Sequence, residues 1–278
     1  WWRAFRAPSI CRASGRRSRG LERAFDILDC LRGARKPMRP NEIATAMGAP
    51  RSTIYELVNM LLKCDVLEYR GGDGRVFLGR KLFLLGAAYS DNSDFLRQCS
   101  EVLEQVTSET HETAQFCLLD GNKYTVALVK ESSRPFRISS SVGERTPLPW
   151  TASGRLFVDH MSDERILEFI PRPDFHLPSG AWLEPTIFIS EVRQAAKDGY
   201  FTADSIVDSY THCFAVPVRR QDGIAAATLC LVTPKDDARL NRERYLSCLT
   251  IAAEKLSVQF MNLSIGADLN RFPSSVLP

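Results

Sequence analysis

Two short apolar helices separated by three residues, followed at once by a glycine-rich hairpin, restrict the fold of this chain more than any other feature. Apolar residues recur at helical spacing over about 41–47, and again from Pro50 to about Cys64. Gly48 permits the tight turn between them, and Pro50 costs little at the beginning of a helix because its missing N–H would have no partner there. Helix, three-residue turn and helix form the pattern of a helix-turn-helix.

A further helix is predicted before this pattern. Apolar residues three and four positions apart lie between Arg19 and Arg32, namely Leu21, Ala24, Phe25, Leu28 and Leu31. Gly33 is expected to end this helix, and Asn41 is a capping residue type for the helix that follows. The segment therefore predicts three helices in succession.

The outward side of the helix that begins at Pro50 carries polar side chains of the kinds that reach phosphates and base edges in DNA. They are Arg51, Ser52, Thr53, Tyr55, Glu56 and Asn59. In a helix-turn-helix, the N-terminal end of this helix enters the major groove. The alternative is a solvated helix face without a function, and the hairpin that follows makes DNA recognition the better interpretation.

That hairpin is predicted from two strand-like segments, 66–69 and 76–78, on either side of the glycine-rich turn at 71–74. Arg70 and Arg75 flank its tip. A hairpin directly after a recognition helix is a wing, whose arginines can lie in a minor groove or against backbone phosphates.

Charge is divided unevenly along the chain. Residues 1–80 contain 16 Lys and Arg against 8 Asp and Glu, a net charge of +8, whereas residues 81–278 contain 20 against 25, a net charge of −5. A basic segment joined to an acidic one indicates a polyanion as the partner of the basic segment alone. A solvated basic face is the alternative that charge by itself leaves open.

The eight cysteines show neither CxxC pairs nor a zinc-like spacing with histidine, and several fall within apolar stretches. Free cysteines in such stretches behave as small core residues, so we predict free thiols in a reducing cytoplasm. We expect no metal and no other cofactor. No apolar run approaches the roughly 18 residues that a membrane helix needs, so a membrane partner is not expected.

The region after residue 80 mixes helical and strand-like stretches. Helices are predicted over about 81–89, 93–110, 151–160, 163–169, 187–197 and 241–261. Strands are predicted over 113–119, 123–130, 136–141, 213–218 and 224–232, with a proline-rich loop at 171–180. Strands with flanking helices and hairpin turns predict an α+β fold.

Four segments carry a resemblance to a known family. They are LERAFDIL at 21–28, PRSTIY at 50–55, VGERTPL at 142–148 with TASG at 151–154, and CFAVPV at 213–218 with the Asp-Gly pair at 222–223. In this order and spacing, the chain resembles the IclR-type (isocitrate-lyase-regulator) transcription factors of bacteria over about residues 20–263.

The resemblance implies an N-terminal winged helix-turn-helix, a linker helix and a C-terminal GAF-like effector-binding domain with a curved antiparallel sheet. It implies dimers or dimers of dimers that bind palindromic double-stranded DNA operators, and a small organic metabolite as effector. Mapped onto this chain, the regions are a basic arm at 1–18 that we expect to be disordered, the DNA-binding domain at 19–80, the linker at 81–92, the effector-binding domain at 93–265 and a tail at 266–278.

The resemblance also implies which residues line the effector pocket. They are Trp150, Ala152, Ser153, Asp204, Thr211, Cys213, Cys230 and Val232. Relatives that bind small carboxylates often have serines where this chain has Cys230 and Val232, and the chain has Arg155 where a lysine is usual. A less polar pocket favours a short hydroxyacid, semialdehyde, lactone or aromatic acid over a strongly hydrated diacid.

Simpler structural roles compete with several of these assignments. Ser153 either donates a hydrogen bond to a ligand or begins a helix, Asp204 either orients a ligand or forms an ion pair, and Trp150 is either a pocket wall or core. A catalytic Cys213 is disfavoured because its neighbour His212, the nearest candidate base, points to the other face of a strand.

These observations predict a ligand-responsive transcriptional regulator rather than an enzyme, acting as a repressor of a catabolic operon that a metabolite releases. Two alternatives stay open. One is a metabolite-converting enzyme with an N-terminal partner-binding domain, which would require an acid/base pair in the pocket. The other is a DNA-binding protein that responds to no ligand.

Overall fold

The computed structural model describes residues 18–91, 93–134, 141–204 and 210–265, and these belong to two units, Trp1–Ser93 and Asp94–Pro278. All of the predicted arm except Ser18, the predicted tail and nearly all of the predicted strand at 136–141 lie outside the described residues.

The first unit contains the helices α1 (Ser18–Ala34), α2 (Pro40–Met47) and α3 (Arg51–Lys63), the strands β1 (Leu67–Tyr69) and β2 (Val76–Leu78), and the helix α4 (Arg80–Asp91). Three residues separate α2 from α3, and β1 pairs with β2 in an antiparallel hairpin. This arrangement confirms the predicted winged helix-turn-helix. Its core is one cluster of apolar side chains that includes Ile27, Leu31, Ile43, Ile54, Val58, Leu67 and Val76.

The beginning of α2 differs from the sequence prediction. Its N-cap is Arg39, and Pro40 is the first helical residue, so Asn41 lies within the first turn. Glu42 closes the turn, since its carboxylate accepts a hydrogen bond of 2.7 Å from the backbone N–H of Arg39. The capping prediction at Asn41 was therefore wrong, because proline fills the first helical position and moves the cap one residue earlier.

The second unit is built on a six-stranded antiparallel sheet. Its strands are β3 (Thr113–Asp120), β4 (Lys123–Lys130), β5 (Arg145–Pro147), β6 (Phe201–Asp204), β7 (Thr211–Arg219) and β8 (Ala225–Pro234), in the order β5-β4-β3-β8-β7-β6. Its helices are α5 (Asp94–Thr110), α6 (Ala152–Phe157), α7 (Asp163–Phe169), α8 (Pro185–Asp198) and α9 (Lys235–Ile265), with 3-10 turns at Leu148–Trp150 and Arg172–Phe175. The predicted α+β class is confirmed.

Three features of this unit were not predicted. The short strands β5 and β6 were missed, and α9 begins six residues before the predicted position at 241. The proline-rich segment at 171–180, expected as a loop, contains the turn Arg172–Phe175.

Alternating strand residues divide the unit into two cores, one on each face of the sheet. On the first face, β-strand residues such as Phe116, Phe214 and Leu229 pack with Val102 of α5 and Tyr245 of α9. On the other face, which we call the inner face, Cys117, Ala215 and Cys230 pack with Phe157 of α6 and Phe188 of α8. The predicted pocket residues are divided between these two faces.

Candidate DNA-binding surface and ligand site

The recognition helix α3 turns its predicted DNA-binding residues away from the core. Arg51, Ser52, Tyr55, Glu56 and Asn59 are exposed, and Thr53 is half-buried.

Ile54, Leu57 and Val58 on the opposite side of α3 are buried. Because these apolar residues fix the rotation of the helix, the polar side chains form one outward stripe whose N-terminal end begins at Arg51.

The wing is tied to α2 by a cluster of charged residues. The guanidinium of Arg75 contacts Asp73 at 2.8 Å and donates to the backbone oxygen of Pro37 at 3.3 Å. Arg39 also reaches Asp73, at 3.1 Å, and Glu42 lies 3.5 Å from Arg75. A side-chain hydrogen bond from Arg75 and the nearby charge of Arg39 hold the pKa of Asp73 below its usual value. These contacts orient the hairpin tip relative to the helix-turn-helix.

The two wing arginines are therefore not equivalent. Arg75 is part of the cluster that anchors the wing, whereas Arg70 is exposed and pairs with Glu68 at 2.5 Å. An exposed ion pair of this kind contributes little to stability and exchanges readily for another partner. Of the two, Arg70 is the side chain that a phosphate would more easily recruit.

The inner face of the effector unit contains a buried polar cluster centred on Ser153 and Cys230. The Oγ atom of Ser153 lies 2.8 Å from the Sγ atom of Cys230, and the hydroxyl of Thr228 donates to Ser153 at 2.7 Å. Ser153 is 1% exposed and Cys230 is 5% exposed. The structure thus brings together two predicted ligand residues from α6 and β8.

A second chain of hydrogen bonds lies beside the first. The thiol of Cys117 donates to the hydroxyl of Tyr124 at 3.0 Å, and that hydroxyl donates to the side-chain oxygen of Gln115 at 2.7 Å. Burial raises the pKa values of both Cys117 and Tyr124 well above their ordinary range. These residues were not predicted as part of the site, although strand alternation places Gln115 on the same face as Cys117, as it does Thr228 with Cys230.

The Thr-Ala-Ser-Gly segment owes its shape to Thr151 and Gly154. The Thr151 side chain caps α6 by accepting a hydrogen bond of 3.0 Å from the backbone N–H of Gly154. A Cβ atom on Gly154 would lie 2.0 Å from the backbone oxygen of Leu148, so only glycine fits there. The close approach fixes the position of Ser153. Thr151 is the N-cap of α6, and Ser153 lies in the first turn of this helix, so Ser153 both begins the helix and faces Cys230.

Arg155 is a buried cation that holds the same segment. Its guanidinium donates to the backbone oxygens of Pro149 and Thr151 at 2.9 and 2.7 Å, and to Glu191 of α8 at 2.7 Å. Burial lowers its pKa, although the charge of Glu191 opposes that shift. Because a guanidinium offers several donors in a rigid plane, it satisfies both carbonyls and the carboxylate at once.

Cys213, Thr211 and Val232 lie on the inner face by strand alternation. Cys213 packs with the apolar cluster that contains Cys230, and its register partner is Val232. Thr211 is buried at the beginning of β7, while Cys213 and Val232 are half-buried. These three residues therefore lie on the same face of the sheet as Ala152, Ser153 and Cys230.

The structure does not place Asp204 with that group. Asp204 is exposed at the end of β6 and contacts His212 at 3.0 Å and Lys235 at 3.3 Å. The His212 ring packs against Phe214, so both partners in this strand pair belong to the face opposite Cys230. The ion-pair interpretation of Asp204 fits this position, and a ligand at Ser153 would be out of its reach.

Trp150 ends the turn that precedes α6. It is half-buried, and its indole N–H donates to the backbone oxygen of Asp174 at 2.8 Å. That hydrogen bond ties the Leu148–Trp150 turn to the Arg172–Phe175 turn. A groove of about 430 Å³ lies beside the second turn and is lined by Arg172, Pro173, His176 and Trp182.

The seven cysteines within the described ranges are free thiols. Over the same part of the chain, the structure groups no three His, Cys, Asp or Glu residues as metal ligands. A helix of the length and apolarity required to cross a bilayer is also missing from the described residues.

Two family models match the chain. One, described as "Bacterial transcriptional regulator IclR C-terminal", matches residues 87–258, and the other, described as "IclR helix-turn-helix domain", matches residues 20–71. The HTH-type transcriptional regulator KdgR of Escherichia coli (strain K12) is 24% identical over 241 residues, which cover 85% of this chain and 90% of that protein. The Pca regulon regulatory protein of Pseudomonas putida is 24% identical over 246 residues, covering 86% and 83%.

Solved structures show the same fold. An ICLR transcriptional regulator from Silicibacter sp. TM1040 has a TM-score of 0.76 at 19% identity, covering 87% of this chain and 96% of that one. An IclR homolog from Microbacterium hydrocarbonoxydans, complexed with 4-hydroxybenzoate, has a TM-score of 0.67 at 24% identity, covering 87% and 98%.

Proposed function

The chain belongs to the IclR family of bacterial DNA-binding transcriptional regulators, and from this premise we propose that it is a repressor that a small organic metabolite releases from its operator. It acts in the cytoplasm as a dimer, or a dimer of dimers, on a palindromic site upstream of a catabolic operon. The outward polar stripe of α3 is the observation that carries the proposal.

DNA recognition is assigned to α3 and the wing. Arg51 and Ser52, at the N-terminal end of α3, reach phosphates or base edges first, and Asn59 lies two turns further along the groove. Arg70 adds a phosphate contact from the wing. Because these contacts are largely ionic, operator affinity falls steeply as salt concentration rises.

Exposed apolar side chains support a homodimer. Leu21 and Phe25 of α1 are 66% and 60% exposed, and Phe83 and Leu84 of α4 are 75% and 61% exposed. Large apolar side chains that are this exposed are candidates for burial in a protein interface. Two copies joined there present two recognition helices to successive major grooves.

The effector site is assigned to the inner face around Ser153 and Cys230. The site combines an apolar lining with a few hydroxyl and thiol groups, which suits a short hydroxyacid, semialdehyde, lactone or aromatic acid. The 4-hydroxybenzoate complex of the relative from Microbacterium hydrocarbonoxydans supports an organic acid of this kind.

Release follows if the effector binds one dimer arrangement more tightly than the other. A typical coupling free energy of about 1–3 kcal/mol changes operator affinity roughly 5- to 150-fold. The linker at 81–92, which precedes the effector unit in the chain, is the segment that transmits the change.

The experiment is a fluorescence-anisotropy titration of the protein on DNA from upstream of its own gene, with and without hydroxyacids, semialdehydes, lactones and aromatic acids. We expect tight, salt-sensitive binding that one class weakens. Arg51→Ala should weaken binding, while Lys63→Ala removes the same charge from the exposed C-terminal end of α3 and serves as the matched control.

Each competing function predicts a different result. Binding that responds to no compound would favour the ligand-independent DNA-binding protein. Consumption of a compound with no effect on DNA would favour the enzyme. Stronger binding in the presence of an effector would replace repressor release with co-repression.

A further inference from the structure

Three thiols lie on the inner face in neighbouring strands: Cys117 on β3, Cys230 on β8 and Cys213 on β7. Cys230 occupies the middle strand, opposite Gln115 on one side and Ala215 on the other. Cys117 pairs with Thr228 and Cys213 pairs with Val232, and each of these partners is two residues from Cys230. Because adjacent strands lie roughly 5 Å apart, both cysteines are diagonal neighbours of Cys230.

The sulfur of Cys230 differs from that of Cys117 in its hydrogen bonding. Thr228 donates its hydrogen to Ser153, so the hydroxyl of Ser153 can donate in turn to the Cys230 sulfur 2.8 Å away. Cys117 instead acts as a donor, to the hydroxyl of Tyr124. A sulfur that accepts hydrogen bonds carries more thiolate character and is the better nucleophile.

The electrostatics agree with this geometry. Hydrogen bonding to the sulfur lowers the pKa of the Cys230 thiol despite its burial. The pKa of Cys117 moves the other way, chiefly because of burial. The pKa values of these two buried thiols are therefore shifted in opposite directions.

The inner face becomes more open toward one end of β8. Cys230 is buried, but Val232, two residues further on the same face, is half-buried, as is its register partner Cys213. Cys213 and Val232 therefore lie at the less buried end of this face, and Cys230 lies at its more buried end.

We propose that Cys230 captures the effector as a reversible covalent adduct, so that the effector is a carbonyl compound of the aldehyde or semialdehyde class. The proposal rests on the effector site assigned above and narrows its ligand from four chemical classes to one. A hydroxyacid, lactone or aromatic acid without an aldehyde could not form this adduct.

The reaction requires no other reagent. The sulfur of Cys230 forms a bond to the carbonyl carbon, the C=O π pair moves to the oxygen, and the thiol proton ends on that oxygen. The product is a thiohemiacetal, with no change in oxidation state overall. Ser153 stabilises the thiolate before addition, and the new hydroxyl can bond to the Ser153–Thr228 pair. Reversal of these steps releases the effector unchanged.

The test uses the full-length protein and three probes labelled with ¹³C at the carbonyl carbon: acetaldehyde, 4-oxobutanoic acid and benzaldehyde. Carbon NMR in the presence of a phosphine reductant is expected to show, for at least one probe, a bound signal in the sp³ region that is distinct from the signal of the free aldehyde hydrate and has the lower chemical shift of a carbon bonded to one oxygen and one sulfur. The corresponding alcohols, which cannot add a thiol, are the matched ligands.

Two serine variants locate the adduct. Cys230→Ser keeps the size of the side chain and should abolish the sp³ signal. Cys248→Ser removes a thiol that packs against the other face of the sheet and should leave the signal intact. Melting temperatures of both variants verify that they are folded.

Ser153→Ala provides a second readout that does not depend on the probe chosen. Loss of the hydroxyl should slow alkylation of Cys230 by iodoacetamide at neutral pH about tenfold, the effect of a one-unit rise in pKa. A merely structural serine would not change this rate.

Absence of an sp³ signal with all three probes, or its persistence in Cys230→Ser, would overturn the proposal. Operator titrations of the same samples separate this outcome from failure of the proposed function. If the alcohols weaken operator binding as well as the aldehydes do, the regulator stands and covalent capture does not.

Discussion

The N-terminal unit projects its predicted functional residues away from its core, whereas the C-terminal unit places them inside one. The stripe from Arg51 to Asn59 is exposed and contributes little to the packing of α3. Ser153 and Cys230 are buried and form a hydrogen bond with each other. Substitutions in the first region should therefore change binding without changing stability, while substitutions in the second should change both.

The largest effect is expected from Gly154→Ala. Its added Cβ atom would overlap the backbone oxygen of Leu148. Because the nearest atoms all belong to the main chain of Leu148, no flexible side chain can move away to make room. We expect a loss of about 3 kcal/mol in the free energy of unfolding, measured by urea denaturation. Gly86→Ala, which meets nothing within 4 Å, is the control and should be neutral or slightly stabilising. Equal stability of the two variants would contradict the packing argument.

Arg51→Ala should have the next largest effect, and on DNA alone. Removing a contact to base or phosphate at the head of α3 costs about 1–3 kcal/mol of operator affinity, roughly 5- to 150-fold. The unfolding free energy should stay within about 0.5 kcal/mol of wild type, as for other exposed sites. A large loss of stability would show that the outward stripe also supports the fold, and would weaken the contrast between the units.

Substitution of the two wing arginines should have two different effects, one on DNA binding and one on the stability of the hairpin. Arg70→Ala should reduce the slope of log affinity against log salt by about one, the value for a single phosphate contact. Arg75→Ala should instead increase amide hydrogen exchange in β1 and β2, because it removes the contacts to Asp73 and Pro37. The assignment of roles would be reversed if Arg75→Ala changed only the salt slope.

The smallest effect is expected from Glu112, which accepts a hydrogen bond from Tyr245 in the core on the face of the sheet opposite the inner face. Burial raises the pKa of Glu112 above its ordinary value of 4.5, although Tyr245 and Arg134 oppose the shift. The folded state then binds a proton more readily than the unfolded state, so this group stabilises the fold at low pH and the contribution is lost as pH rises through the raised pKa. Glu112→Gln should remove that part of the pH dependence, as measured by urea denaturation at pH values from 4.5 upward. An unchanged pH profile would contradict the assignment.

The sequence predicted the DNA-binding unit well because its signals are local. The turn at Gly48, the apolar spacing of α3 and the glycine-rich wing each depend on neighbours within a few residues. The role of Arg75 was harder to predict, because its partners Asp73, Glu42 and Pro37 meet only when the hairpin folds back on α2.

The effector unit was harder to predict because its site depends on contacts between distant residues. The three-residue strand β5 is half-buried throughout and β6 is partly exposed, so neither shows the alternation by which strands are recognised. Asp204 was grouped with the pocket by resemblance, yet its register opposite His212 places it on the other face. The partners of Cys230 come from α6 and its own strand, 77 and 2 residues away.

The charged cluster of Arg39, Glu42, Asp73 and Arg75 has a mechanical consequence for release. Because it fastens the wing to α2, and α2 packs against α3, we expect the wing and the recognition helix to rotate together. A small rotation would then withdraw the proposed major-groove and wing contacts at the same time. Occupancy of a half-site should therefore fall in a single step, without a state in which the wing alone remains on the DNA.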